Sequence, residues 1–250
     1  MDTQAMQYSS ETSASSRQTD TLADIDQLSE WMSEGKLPEL NPTHQRRSLK
    51  TALKLLESGW QLLREYTLDD VSIEMICRNV GVPSGSFYAR FASKRAYFLT
   101  LLRVHFIGSY QRRSKLVART SDIQISLFDF CLDYVRTSVT SYRRGLGIMR
   151  AVFQQADEDS WCMYRTSADL SRELLYNKLS GYFPNLPPEV LKERILFAHQ
   201  MFMGTMVHLT LDDHGPLTIF DDRIITELAY MMENYLSAPI RHDSSVAPIV

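Results

Sequence analysis

The chain has 250 residues, 44% of them apolar, and a formal net charge of −3, which suffices for a large core and for two folded units plus a tail. No apolar run approaches the roughly 20 residues that span a bilayer. Cys77, Cys131 and Cys162 are scattered and odd in number, which argues against a disulfide scaffold, a zinc module or a redox pair. The polar, acidic start lacks the features of a leader peptide, so a cytoplasmic protein is expected.

The charge is unevenly spread. Residues 41–119 hold 14 Lys and Arg against 5 Asp and Glu, whereas residues 1–40 hold 2 against 8 and residues 120–250 hold 11 against 17. A basic segment between two acidic ones is the footprint expected of phosphate binding.

In chain order, residues 1–19 are rich in Ser, Thr and Gln and read as disordered. Leu22, Ile25, Leu28 and Trp31-Met32 suit one short amphipathic helix, after which Pro38 and Pro42 separate the extension from the first domain. A helix is predicted over 43–66, with Leu49, Leu53, Leu56, Trp60 and Leu63 on one face. Ser72 is a natural N-cap, and Ile73, Ile76, Cys77 and Val80 recur at helical spacing behind it. Gly81 then offers the positive φ that reverses a chain. Pro83, suited to the start of a helix, opens Ser84-Gly85-Ser86-Phe87-Tyr88. Two short helices joined in this way form a helix-turn-helix, in which the second presents its N-terminal side chains to the DNA major groove.

Ser93 caps a further helix through Phe98, Leu101, Leu102, His105 and Phe106. Five more helices are predicted at 123–140, 146–155, 160–180, 188–211 and 221–236, and nothing reads as a strand. The expected fold is all-α with about nine helices: a three-helix helix-turn-helix head at 43–109, with its motif at 72–91, and a helical bundle at 110–238. An extension at 1–42 and a flexible tail at 239–250 flank them.

The run I-C-R-N-V-G-V-P-S-G-S-F-Y-A-R-F-A-S-K resembles the TetR family of bacterial transcription factors. Gly81, Val82, Gly85, Tyr88, Phe91, Ser93 and Lys94 fall on the family's pattern without a gap. Thr67, Pro83 and Arg90 depart from it: Thr67 stands where a helix-ending glycine is usual, Pro83 where a serine cap is usual, and Arg90 where histidine or tyrosine is usual. The resemblance implies a homodimeric regulator, most often a repressor, that reads a palindromic operator in double-stranded DNA and is released by a small-molecule inducer. It also implies dimerisation through the last two helices, whose apolar residues lie on more than one side.

The DNA-binding candidates are Arg46, Arg47, Ser72, Pro83, Ser84, Gly85, Ser86, Tyr88, Arg90 and Lys94. Gly85 permits close backbone approach to a phosphate, and the short hydroxyls of Ser84 and Ser86 reach base edges or phosphate oxygens. Lys94 is a point charge suited to phosphate, and by resemblance it and Tyr88 are phosphate contacts. Phe87 and Phe91 are expected in the small core. Met149, Phe153, Trp161, Tyr164, Phe197 and Met201 are candidates for an adaptable effector pocket, with Arg150, Arg165 or His199 as anchors for an acidic ligand.

No metal, cofactor or enzymatic activity is expected: His208, Asp212, Asp213 and His214 follow no ligand spacing, and no nucleophile or phosphate-loop motif occurs. The expected location is the cytoplasm, in association with the nucleoid; a DNA-binding architectural or cell-division factor without an inducer is the alternative on the same scaffold. A helical enzyme with a vestigial head is the other.

Overall fold

The computed structural model describes residues 22–43, 45–120, 125–155, 157–211 and 215–239; the 1–19 segment and the tail beyond 239 lie outside them. Among these residues there are ten helices and no strand. They are α1 (Ile25–Ser33), α2 (Arg46–Leu62), α3 (Ile73–Val80), α4 (Ser84–Tyr88), α5 (Lys94–Arg119), α6 (Leu127–Arg144), α7 (Leu146–Gln155), α8 (Glu158–Leu179), α9 (Pro188–Leu211) and α10 (Arg223–Ser237). No helix among them is long and apolar enough to cross a membrane.

The first helix of the head is shorter than the predicted 43–66. It ends at Leu62, and the following turn is tied by Thr67, whose hydroxyl donates to the Asp70 carboxylate (2.6 Å). A threonine hydrogen-bonded turn therefore stands where a glycine was the usual solution.

The α2–α5 head closes on an aromatic cluster. Phe87, Phe91 and Tyr97 are buried with ring centroids 5.0–5.3 Å apart. Tyr97 donates its hydroxyl to the Leu55 carbonyl (2.7 Å). Gly59 makes room for that ring, because a Cβ there would meet the Tyr97 oxygen at 1.9 Å.

The segment before the head is not set apart by Pro38 and Pro42. Asp24 caps α1 through a reciprocal capping box with Gln27. Leu28, Trp31, Leu37 and Leu40 are then buried in the same core as α2, α3 and α4. Burial of these four apolar side chains in the head outweighs the chain-breaking tendency of the prolines. Residues 22–43 act as a strap. Leu40 pairs with Phe91 in an antiparallel bridge, and Glu39 forms a bidentate pair with Arg103 of α5 (2.8 and 2.9 Å).

Helix α5 has 26 residues, about 39 Å at 1.5 Å per residue, and carries the head core at Tyr97–Leu102 into the body at Leu116. Head and body also meet at the α6–α7 corner. Trp60 of α2 donates its Nε1 to the Arg144 carbonyl (2.7 Å), and a Cβ on Gly147 would lie 1.8 Å from the Leu63 carbonyl oxygen. In the body, α10 packs along α6 and α9, with Phe130, Tyr134, Phe202, Met206 and Met232 in its core.

Candidate functional site

Local chemistry fixes the tip of the head. The Ser72 hydroxyl accepts the Met75 N–H (3.1 Å) and starts α3. Gly81, at φ +74°, ends it. The Gly81 N–H donates to the Arg78 carbonyl (3.1 Å) and the Val82 N–H to the Cys77 carbonyl (3.0 Å), the paired bonds of a Schellman cap. Pro83, extended at φ −70° and ψ 154°, then opens α4 without a side-chain cap. Phe87 points inward and is fully buried, while Pro83, Gly85 and Tyr88 face outward, Tyr88 53% exposed. Nothing lies within 4 Å of the position a Cβ would take on Gly85, so that side of α4 is open to an approaching surface.

The expected DNA-facing residues divide into groups. Ser84 and Ser86 are half-buried on α4 beside exposed Gly85. Arg46 and Arg47 are exposed in the first turn of α2, and Arg46 pairs with Asp26 of the strap (2.9 Å). Ser72 is engaged as a cap. Lys94, in the first turn of α5, donates to the Asp69 carbonyl (3.3 Å).

Arg90, expected at the DNA, is turned onto protein backbone instead. Its Nη1 donates to the Ser86 carbonyl (2.6 Å) and its Nε to the Ser48 carbonyl (3.1 Å). Burial lowers its pKa from the usual arginine value. A guanidinium between two carbonyls fixes α4 against α2, so we assign Arg90 to positioning.

Asn41 escaped the sequence reading. Its backbone N–H donates to the Arg90 carbonyl (2.8 Å) and its side-chain amide to the Ala89 carbonyl (3.2 Å). Carbonyls at the end of the recognition helix, which have no partner within the helix, are thus satisfied from the strap. An Asn-Pro step reads as an ordinary turn, and nothing local distinguishes it.

The six effector candidates also separate. Met149 and Tyr164 line a chamber inside the body, and Phe153 and Trp161 meet Tyr164 edge to face at centroid distances of 5.2 and 5.5 Å. Phe197 and Met201 do not belong there. They are 49% and 39% exposed on the outer face of α9, while Ala198, His199, Phe202 and Met206 face inward. Leu196 and, on α10, Tyr230 are also exposed. Phe197 lies 5.1 Å from the Tyr235 ring of α10, so the two helices share one outer apolar surface. Arg150 is half-buried, and Arg165 is exposed and paired with Glu158. Of the four residues tested for metal spacing, Asp212, Asp213 and His214 lie outside the described residues, among which no metal-ligating cluster occurs.

Two buried histidines face the chamber. Burial first, then Arg112, Arg113 and Arg144, hold His105 down to about 3; burial, then Arg172 and Arg113, hold His199 at about 3. The unfolded chain takes up a proton at each near the ordinary value of about 6.5, which the folded chain refuses. Stability should therefore fall as pH drops from about 6.5 towards 3, by about 1.4 kcal/mol per pH unit for each histidine. Denaturant titrations between pH 7 and 5 should give a shallower slope for the His105→Gln/His199→Gln double variant. Equal slopes would mean that these rings titrate normally.

A capped, glycine-turned pair of helices with an exposed tip on a basic head defines a helix-turn-helix DNA-binding protein. Residues 55–101 match the family model of bacterial regulatory proteins of the tetR family. The fold recurs in solved structures. Salmonella enterica GusR is 15% identical, covering 76% of this chain and 97% of its own (TM-score 0.58). Escherichia coli NemR in its reduced form is 20% identical, covering 75% and 94% (TM-score 0.51). NalD, the secondary repressor of the MexAB-OprM multidrug efflux pump in Pseudomonas aeruginosa, is 22% identical, covering 73% and 96% (TM-score 0.51). No curated protein sequence matches significantly. The head thus matches the tetR-family model over residues 55–101, and the chain as a whole shares its fold with these solved structures.

Proposed function

We propose that the chain acts in the cytoplasm as a homodimeric repressor, without enzymatic activity. Two α4 helices would read a palindromic operator with half-sites about 34–36 Å apart or a multiple of that, and a small molecule bound in the body would release it. The observation that carries this reading is the outward tip Pro83–Tyr88, held from behind by Phe87, Arg90 and Asn41. Dimerisation is assigned to the outer face of α9 and α10, where Leu196, Phe197 and Met201 of α9 are exposed and Phe197 meets Tyr235 of α10. Such a cluster on a helix pair suits a second copy of itself. The repressor sign follows the description of NalD. An effector can act only through unequal affinity for the DNA-competent and DNA-incompetent dimers.

Selecting bound fragments from genomic DNA with the full chain tests this. A few palindromic sites beside promoters are the expected result, and dense binding along the chromosome would favour the architectural alternative. On a selected site, Lys94→Ala should weaken binding to all sequences alike and lower the salt dependence by about one unit of slope. Ser84→Ala and Ser86→Ala should instead change operator preference. An unaltered slope removes Lys94 from the phosphate contacts.

A further inference from the structure

Two cavities lie back to back along α5. The inner one is the chamber already described, with a free volume of about 30 Å3. Arg113 reaches it from α5, Ser138 from α6 and His199 from α9. Arg113 is only 7% exposed. Its Nε, the Ser138 Oγ and the His199 Nδ1 are each buried without a hydrogen-bond partner among the described residues. The described residues lining the chamber include no carboxylate. The charges closest in effect are cationic: burial, then Arg144 and Arg113, push Arg112 down to about 10. A guanidinium buried without a counter-charge costs several kcal/mol, and unpaired polar atoms around it add to that cost. The space admits one or two waters or one small anionic group, and nothing larger.

The outer cavity is a cleft of about 560 Å3 between the strap, α5 and α8, within the range of about 300–1,000 Å3 typical of small-molecule sites. Leu99, Ile107, Met163 and Leu170 give it apolar walls. Its charged rim is largely self-paired, Glu39 with Arg103 and Asp159 with Arg95. Phe106 and Ser167 belong to the walls of both cavities, so these two side chains form the partition between them.

We propose that chamber and cleft are the two halves of one effector site, and that it takes an apolar molecule carrying a single carboxylate. The apolar body lies in the cleft. The carboxylate passes Phe106 and pairs with Arg113, accepting hydrogen bonds from its Nε, from the Ser138 hydroxyl and from the Nδ1–H of neutral His199. An ionised carboxylate has about four acceptor positions, enough for the three orphaned groups on three helices. This deepens the effector half of the proposed function and rests on that reading. It also gives the effector contact with the strap, because Glu39 in the cleft wall is two residues from Asn41 at the end of the recognition helix.

Calorimetric titration of the full chain with decanoate, and with decan-1-ol as the uncharged probe, tests the assignment without DNA. Decanoate should bind once per chain and more tightly than the alcohol. Arg113→Met should weaken decanoate about 10- to 100-fold, the worth of hydrogen bonds to a charged group, and leave the alcohol unaffected. Thr166→Trp, which narrows the cleft away from the chamber, should abolish binding of both. Arg113→Met removes an unpaired buried charge and should melt no lower than the wild type; Arg113→Lys serves if it does not fold. Equal affinity for the two probes, or decanoate binding indifferent to Arg113, overturns the proposal. So does chloride raising the melting temperature through Arg113 without any uptake of decanoate. A chain that binds decanoate but no genomic DNA would sink the repressor reading and leave this site standing, and the converse result would do the reverse.

Discussion

Phe197→Glu combined with Met201→Glu is expected to give a folded monomer that loses operator binding. Both side chains lie on the outer face of α9 and take no part in the body core, so the substitutions should leave the monomer's stability nearly unchanged. Two glutamates per copy, brought face to face across a symmetric interface, would place four like charges in an apolar contact. Losing the second half-site contact should cost about 10²- to 10⁴-fold in affinity, the usual gain from linking two binding modules. Sedimentation velocity reads the oligomeric state and gel retardation the affinity. A dimer that survives both substitutions moves the interface elsewhere on the body, where Phe220 is also widely exposed.

Trp31→Ala should destabilise the head by about 3–5 kcal/mol, the range for removing a large aromatic side chain from a core. Trp31 is fully buried among strap and head residues, and its loss loosens the strap that carries Asn41 and Glu39. The expected readout is a lower denaturant midpoint together with weaker operator binding. A stable variant with unchanged affinity would reduce the strap to a passive covering.

Much of this architecture was legible in the sequence because it is local. Ser72, the Ile73/Ile76/Cys77/Val80 face, Gly81 and Pro83 set the two short helices by capping, periodicity and backbone freedom, and all act within a few residues. The predicted helices at 146–155 and 188–211 match α7 and α9 for the same reason. What escaped depends on distant partners. Leu37 and Leu40 sit outside any periodic pattern, so their burial follows from tertiary packing alone. Arg90 looks like one more basic residue of the head until Ser48 and Ser86 are seen to accept from it. Met and Phe suit a pocket and a subunit contact equally well, so Met149 and Met201 could not be separated before the inner and outer faces of the helices were known. An arginine on a long helix reads as a surface residue, and only the fold puts Arg113 inside.

The shared core of strap, head and α7 has a consequence for engineering. In chimeras that exchange operator readers between regulators, a junction at about residue 43 looks natural, because the helix-turn-helix begins just beyond it. A transplant cut there would leave behind the indole that fills the base of the reader and the amide that ties down its last turn. It would also carry away the partner of Ile148 and Val152. A working graft from this chain has to begin at about residue 22 and bring a matching α6–α7 corner with it.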